Sequence, residues 1–195
     1  ARSIESTVDK LYTSYLLNKN KINCPETYIF RGQKAASGFI SNYNFKSKLI
    51  YKPLFGSQGD NIRLIERPSD LEKLENQTNI YYFQEYLDNS PNYDYRVLVI
   101  NNNDNIKYFY MTRYGETFIN NFSKGAKCIK EKLNEDVIEL AIKSSRLLNI
   151  DFCGVDIIEY KGQYYVIEVN SIPAWRGLQR VESLNISDYI TSLLK

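Results

Sequence analysis

The stretch GVDIIEYKGQYYVIEVNSIPAWRG (residues 154–177) decides how this chain is read, because it sets the oxygen-bearing side chains of Asp156, Glu168 and Asn170 among strand-forming apolar residues. Two β-rich segments flank Lys161-Gly162, which predicts a hairpin. Alternate residues of a strand share a face, so Glu168 and Asn170 point the same way, and the turn decides whether Asp156 joins them. A plain two-residue turn pairs Tyr160 with Gln163, sets Asp156 opposite Ile167 and sends it to the other face. A three-residue loop, Lys161-Gly162-Gln163, pairs Tyr160 with Tyr164 and sets Asp156 across from Glu168, with Asn170 two residues on. The opposite face then carries Val155, Ile157, Tyr165, Ile167 and Val169, a set suited to a core, while Ile158 and Val166 line the face of the oxygens. The expected connection is therefore an odd-length loop, or one that carries a bulge.

Composition limits what such a cluster can do. The chain has 195 residues, 43% hydrophobic, 25% charged and 14% aromatic, enough for one sizeable core or two small lobes. A net charge of +2 with no dense Lys/Arg run argues against a nucleic-acid partner and leaves anionic small ligands open. The three cysteines, Cys24, Cys128 and Cys153, have no metal or redox spacing, and their odd number speaks for reduced thiols and a cytoplasmic setting. Histidine is absent, which removes His-dependent nucleophilic schemes and His-ligated zinc. No apolar run approaches the ~18 residues of a membrane span, so no membrane partner is expected.

Periodicity predicts an α+β order. A helix is expected over residues 4–20 with Ile4, Val8, Leu11 and Tyr15 on its buried side, then strands at 27–30 and 49–53 around a helix at 33–45. A strand at 61–65 precedes a helix opened by the capping-box pattern Ser69-x-x-Glu72. The segments YRVLVI and IKYFYMTR flank the turn-rich NNNDN and predict an antiparallel hairpin. A helix at 136–149 and a last one near 187–194 bracket the metal-type hairpin. A joint near Asn89 to Pro91 divides the chain into residues 1–88, a small lobe that includes the N-terminal helix, and residues 89–195, a larger lobe.

A second chemical signal is LIYKPLFGSQGDNI (residues 49–62), in which a strand ends at Lys52-Pro53 and runs into a loop with Gly56, Ser57 and Gly59. Glycines let backbone N–H groups approach an anion, and the lysine adds positive charge beside them. The spacing matches neither the P-loop nor the dinucleotide fingerprint. Hard oxygen ligands from two carboxylates and an amide suit Mg²⁺, which commonly completes its shell with water and nucleotide phosphates.

Taken in order, Lys10, Lys52-Pro53-x-x-Gly56-Ser57-x-Gly59, Gln84-Glu85-Tyr86-Leu87, Asp94-x-Arg96, Asn121-x-x-Lys124-Gly125, Gly154-Val155-Asp156 and Glu168-Val169-Asn170-Ser171-x-Pro173 resemble the ATP-grasp carboxylate-amine ligases. Within them the chain resembles most the RimK-type branch and its archaeal tetrahydromethanopterin glutamate ligases, through EVNSIPAWRGLQ and NNFSKGAK. The resemblance implies an ATP-grasp fold, two lobes with mainly antiparallel sheets enclosing an ATP and magnesium cleft. It implies a ligase that adds an amino acid, glutamate in type, to an acceptor carboxylate through an acyl phosphate.

The same resemblance implies roles. Lys10 and Lys52 hold ATP phosphates under the loop of Gly56, Ser57 and Gly59; the backbone of Gln84, Glu85, Tyr86 and Leu87 reads adenine; Glu85 and Asp94 serve ribose or adenine. Asp156, Glu168 and Asn170 bind two Mg²⁺ ions, replaceable by Mn²⁺, with Glu168 bridging. Arg96, Arg113, Asn121 and Lys124 line the acyl-phosphate region. The family's F-R-x-N motif reads Phe118-Ile119-Asn120-Asn121 here, so Ile119 stands where an arginine is usual. The family also implies a preceding α/β domain, expected to be absent, removed or supplied by another chain; a homo-oligomer is the alternative partner expectation. Alternatives are a non-catalytic ATP-binding module, or a ligase acting on a protein C-terminus or an amino-group carrier protein.

Overall fold

The computed structural model describes residues 7, 9–54, 60–76, 78–102, 105–116, 125–191 and 193. It holds helices and two all-antiparallel sheets, an α+β architecture. The chain divides into two compact units, one of residues 25–88 and one that joins the described part of residues 1–24 to residues from Asn89 onward. No helix among the described residues is long and apolar enough to cross a membrane.

In the first unit, β1 (Thr27–Arg31), β2 (Leu49–Lys52), β3 (Arg63–Ile65) and β4 (Ile80–Glu85) form a sheet of order β1-β4-β2-β3. Period-2 alternation sorts its faces. Leu49, Tyr51, Ile65, Tyr81 and Phe83 turn to a core closed by Ala36 and Ile40 of α2 (Gln33–Asn42). That core is aromatic, with Phe39 4.7 Å from both Tyr28 and Phe30 by ring centroid. The expected capping box does not form: residues Pro68–Lys73 make a 3₁₀ turn, whose N-cap Arg67 has no side-chain bond, and Asp70 instead accepts from the N–H of Glu66 at 3.1 Å. Proline in the first turn and a short polar run explain the tighter winding.

In the second unit, β5 (Tyr93–Asn102), β6 (Asn105–Tyr114), β7 (Lys127–Ile129), β8 (Phe152–Tyr160) and β9 (Gln163–Asn170) form a sheet of order β7-β6-β5-β8-β9. One face, with Val97, Val99, Cys153, Val155 and Ile157, packs under α3 (Glu135–Leu147) through Val137 and Ala141. Asn134 caps α3 by accepting from the N–H of Asp136, and Glu135, Asp136 and Arg146 suit its dipole. Burying each valine or isoleucine of that face contributes about 1.5–3 kcal/mol. The other face begins with Leu98, Ile100, Phe109 and Met111 under Leu178 of α4 (Arg176–Val181) and Ile186 of α5 (Ile186–Thr191).

The N-terminal helix, α1 (Lys10–Lys19), is capped by Asp9, whose carboxylate accepts from Leu11 and Tyr12. Its buried side is Thr13, Ser14 and Leu17, while Tyr15 is 52% exposed, so the expected stripe through Tyr15 is wrong by part of a turn. Leu17 and Ile22 enter the core beneath β5 and β8, and the N–H of Val166 donates to Asn23 O at 2.9 Å. The helix therefore belongs with residues 89–195 and not with the smaller unit. Helix periodicity alone could not show which sheet supplied its partner surface.

Candidate active site

The β8–β9 hairpin settles the parity question by the second of the two expected devices, a bulge, and not by a three-residue loop. Tyr160 pairs with Gln163, so the connection is the two-residue turn Lys161-Gly162, with positive φ at both residues, 51° and 74°. Such a pair matches the right-handed strand twist of tight hairpins. Ile157 then pairs with Val166 but Asp156 with Glu168, which leaves Ile167 as an extra bulge residue. The bulge restores what the short turn would undo: Asp156 stands opposite Glu168 and Gly154 opposite Asn170, on one face. It also corrects the expected core. Val166 is 1% exposed and in the core cluster, whereas Tyr165 and Ile167 are only partly buried.

Register carries the site further across the sheet. Arg96 of β5 lies opposite Asp156, Asp94 of β5 opposite Arg113 of β6, and Arg113 opposite Cys128 of β7. Asp94 and Arg96 share a face by period 2, so four charged side chains meet beside the apolar floor of Leu98 and Met111. Arg113 binds Asp94 with both arms of its fork, Nε to Oδ1 at 2.6 Å and Nη2 to Oδ2 at 2.7 Å, and Nη2 also reaches Asp156 Oδ2 at 3.0 Å. Arg96 Nη2 donates to the same Oδ2 at 2.8 Å. Arg96 Nε lies against Asp156 Oδ1 as an ion pair without hydrogen-bond alignment, so both atoms are buried with no hydrogen-bond partner among the described residues.

Asp94, Arg113 and Asp156 are each 3% exposed, and Arg96 is 9% exposed. The carboxylate at 156 is thus buried, tolerable because two arginines offset two aspartates. Burial works against the Asp156 charge, but Arg113 and Arg96 together outweigh it and hold the carboxyl below its ordinary range. Burial pushes Asp94 up instead, because one guanidinium, Arg113, does most of the opposing and the Asp156 charge adds to the rise. Glu168 is exposed, and Lys10 lies within its electrostatic reach: burial pulls the lysine below its ordinary range while Glu168 acts to raise it.

Asn170 Oδ1 accepts from the N–H of Ile172 at 2.9 Å, which keeps one lone pair for another donor or ion. Among the described residues no three His, Cys, Asp or Glu side chains gather into a metal cage. Two carboxylates and an amide on one face are the hard oxygen donors that a divalent cation with few protein ligands takes, with Asp156 Oδ1 held against Arg96 Nε in the chain as it stands.

In the smaller unit, Lys52 Nζ donates to Gln84 Oε1 at 2.6 Å, and Gln84 Nε2 reaches Tyr82 Oη at 3.2 Å and Thr27 Oγ1 at 3.3 Å. These polar groups share the sheet face opposite the aromatic core. The N–H groups of Glu85 and Tyr86 donate to Glu26 O and Lys48 O, each at 2.8 Å. Gly56, Ser57, Gly59, Ile119, Asn121 and Lys124 lie outside the described residues.

Sequence reasoning quoted Gly154 and Pro173 but gave them no task. A Cβ on Gly154 would sit 2.9 Å from Arg96 Nη1 and 2.9 Å from Pro173 Cβ. The glycine therefore lets the Arg96 side chain lie flat across β8. Gly154→Ala should cost about 1–3 kcal/mol by overpacking and lower activity further by displacing the guanidinium. Thermal denaturation and turnover of the one variant check both; wild-type values would mean that Pro173 yields without moving Arg96.

The profile of the RimK-like ATP-grasp domain matches residues 7–194. The tetrahydromethanopterin:alpha-L-glutamate ligase of Methanocaldococcus jannaschii is 28% identical over 194 residues, covering 95% of this chain and 65% of that protein. The alpha-aminoadipate–LysW ligase LysX of Saccharolobus solfataricus is 28% identical over 191 residues, covering 93% of this chain and 68% of that protein. The chain thus spans about two thirds of the length of these relatives. Among solved structures, the ATP-grasp ligase PsnB, complexed with a minimal precursor, Mg and ADP, superposes with a TM-score of 0.68 at 19% identity, over 100% of this chain and 61% of PsnB. That identity speaks for the fold alone.

Proposed function

The chain belongs to the RimK-like ATP-grasp domain family, and from that premise we propose that it is the nucleotide- and metal-binding part of an ATP-dependent carboxylate-amine ligase. The observation that carries the reading is the row of Asp156, Glu168 and Asn170 on one face of the bulged hairpin, with Arg96 beside Asp156. In the reaction a substrate carboxylate oxygen attacks the γ-phosphorus of ATP, ADP leaves, and an acyl phosphate forms. An amine then attacks the acyl carbon, phosphate leaves with the carboxylate oxygen, and the amine gives up a proton as the amide forms. Two anions must meet, so the barrier falls with every fixed positive charge.

Asp156, Glu168 and Asn170 would hold two Mg²⁺ ions, for which Mn²⁺ could substitute. Bound there, magnesium supplies charge neutralisation to the phosphates. Lys10, kept near Glu168, and Lys52, kept on Gln84, would bind phosphate oxygens, and the segment from Gln84 to Leu87 would read adenine, with Glu85 on the ribose. Arg96, Asn121 and Lys124 would face the acyl phosphate, and Gly56, Ser57 and Gly59 would lie along the phosphates. Asp94 and Arg113, as buried as Asp156, are bound to each other through both arms of the guanidinium and would support the site from beneath. The amino acid would be glutamate and the acceptor a small carboxylate or an amino-group carrier protein, as the names of the relatives suggest. Three free cysteines support a cytoplasmic setting.

The test is ADP release by the purified protein with Mg²⁺, glutamate and a panel of carboxylates, read together with product mass. Release that depends on amino acid and acceptor, with a glutamyl mass gain, supports the reading; tight nucleotide binding without such release makes the chain a non-catalytic ATP-binding module. Lys52→Ala should weaken ATP binding by about 10–100-fold, as expected for losing a charged hydrogen bond, while stability falls by only about 1–3 kcal/mol from the stranded Gln84 oxygen. Isothermal titration beside thermal melting checks it. Unchanged affinity would return Lys52 to a purely structural partner of Gln84.

A further inference from the structure

We propose that Gln84, held by Thr27 and Tyr82, is a positioning residue that sets where the Lys52 ammonium stands, and that its side chain acts on ATP only through that lysine. The inference rests on the reading of Lys52 as a phosphate-binding residue. The four residues share the sheet face of the smaller unit that turns away from its aromatic core: Tyr82 and Gln84 by period 2 along β4, Thr27 directly opposite Gln84 on β1, and Lys52, the last residue of β2, directly opposite Tyr82. Gln84 is 3% exposed and Tyr82 2%, whereas Thr27 and Lys52 are half-buried.

Hydrogen-bond polarity fixes the amide. A lysine ammonium only donates, so the group that faces Lys52 Nζ at 2.6 Å is the Gln84 oxygen. At the other end Thr27 Oγ1 donates its one proton to Pro25 O at 3.0 Å, so toward Gln84 Nε2, 3.3 Å away, it can only accept. Tyr82 Oη takes the second N–H at 3.2 Å. The bonds therefore run one way, from Lys52 through Gln84 and Thr27 to the Pro25 carbonyl. A lysine carries a point charge on a flexible four-carbon stem, and a phosphate gains most from that charge when it is already in place. Gln84 supplies the placement from the neighbouring strand and has no charge of its own to offer a phosphate. Removing its amide should matter to ATP only while Lys52 is present.

The experiment is a double-mutant cycle on ATP affinity: isothermal titration of wild type, Lys52→Ala, Gln84→Met and the double variant with ATP and Mg²⁺, with thermal melting alongside. Methionine keeps the length of glutamine and removes its polar groups. The expected result is that Gln84→Met weakens ATP binding at least about fivefold more in the wild-type background than in the Lys52→Ala background. A smaller difference overturns the positioning role: equal losses in both backgrounds mean that Gln84 acts on the nucleotide by itself or through the fold, and no loss in either means that it does not act on it. If Lys52→Ala binds ATP as the wild type does, the phosphate role of Lys52 falls and the positioning role with it, while the ligase reading, carried by the β8–β9 hairpin, stands. If the wild type binds no ATP, both readings fall. Should Gln84→Met fail to fold, Thr27→Val takes its place, because it keeps a branched side chain suited to a strand and removes the hydroxyl that holds Gln84. Its loss of ATP affinity is expected to be at least about threefold larger with Lys52 present than without it, and a smaller difference overturns the proposal.

Discussion

Asp156→Asn is expected to lose both turnover and a large part of the stability of its unit. Two guanidinium groups converge on this carboxylate, and the only other acid in the buried group described here, Asp94, is already held by both arms of Arg113. Asparagine has nearly the same shape but no charge, so Arg96 and Arg113 would face each other across a neutral amide with a net positive charge left out of water. Removing one partner from a buried ion pair costs about 3–5 kcal/mol, against about 1 kcal/mol for an average point substitution. The melting temperature should fall on the order of 10 °C for a chain of this size. Wild-type melting would show that the arginines swing out to solvent and that the network does not stabilise the fold.

The double effect follows from a feature that could not be read from the sequence. Parity reasoning on residues 154–177 needs only the spacing of apolar and polar residues, and it places Asp156, Glu168 and Asn170 on one face whichever device supplies the missing offset. It cannot choose the device. A loop of three residues and a two-residue turn with one bulge change the pairing by the same single step, and Lys161 adopts φ 51° at a cost of about 1–2 kcal/mol that local sequence does not advertise. The choice moves Val166 into the core and leaves Ile167 as the bulge residue, which is why the expected core list failed at those positions.

Burial of Asp156 was illegible for a different reason. Arg96 and Arg113 lie 60 and 43 positions before it in the chain, and nothing local says that β5 pairs with β8 so that Arg96 meets Asp156. The motif Asp94-x-Arg96 showed two charges at strand spacing, which reads equally as a wet face. Only the cross-strand register turns it into a buried row. The N-terminal helix is a similar case: its cap at Asp9 and its length are local, but the sheet it packs on is chosen by Leu17 and Ile22, far from their partners in sequence.

Glu168→Gln is expected to abolish turnover and leave the fold unchanged, although Glu168 stands directly opposite Asp156 on the same hairpin. Glu168 is exposed, and no arginine is ion-paired with it among the described residues, so water can take over the solvation of a neutral amide. An exposed substitution of this kind moves stability by about 0.5 kcal/mol or less. Its effect on the reaction is of another order. In the proposed site Glu168 would help hold magnesium and so place charge where the γ-phosphoryl group is transferred, and loss of such an electrostatic contact costs about 10²–10³ in rate. Lys10, whose charge Glu168 supports, should also lose part of its hold on phosphate, so ATP affinity falls together with the rate. Paired measurement of melting and amino-acid-dependent ADP release separates the two carboxylates: Asp156→Asn should fail in both, Glu168→Gln in turnover alone. If Glu168→Gln turns over at the wild-type rate, the hairpin face holds no catalytic metal, however well its oxygens are aligned.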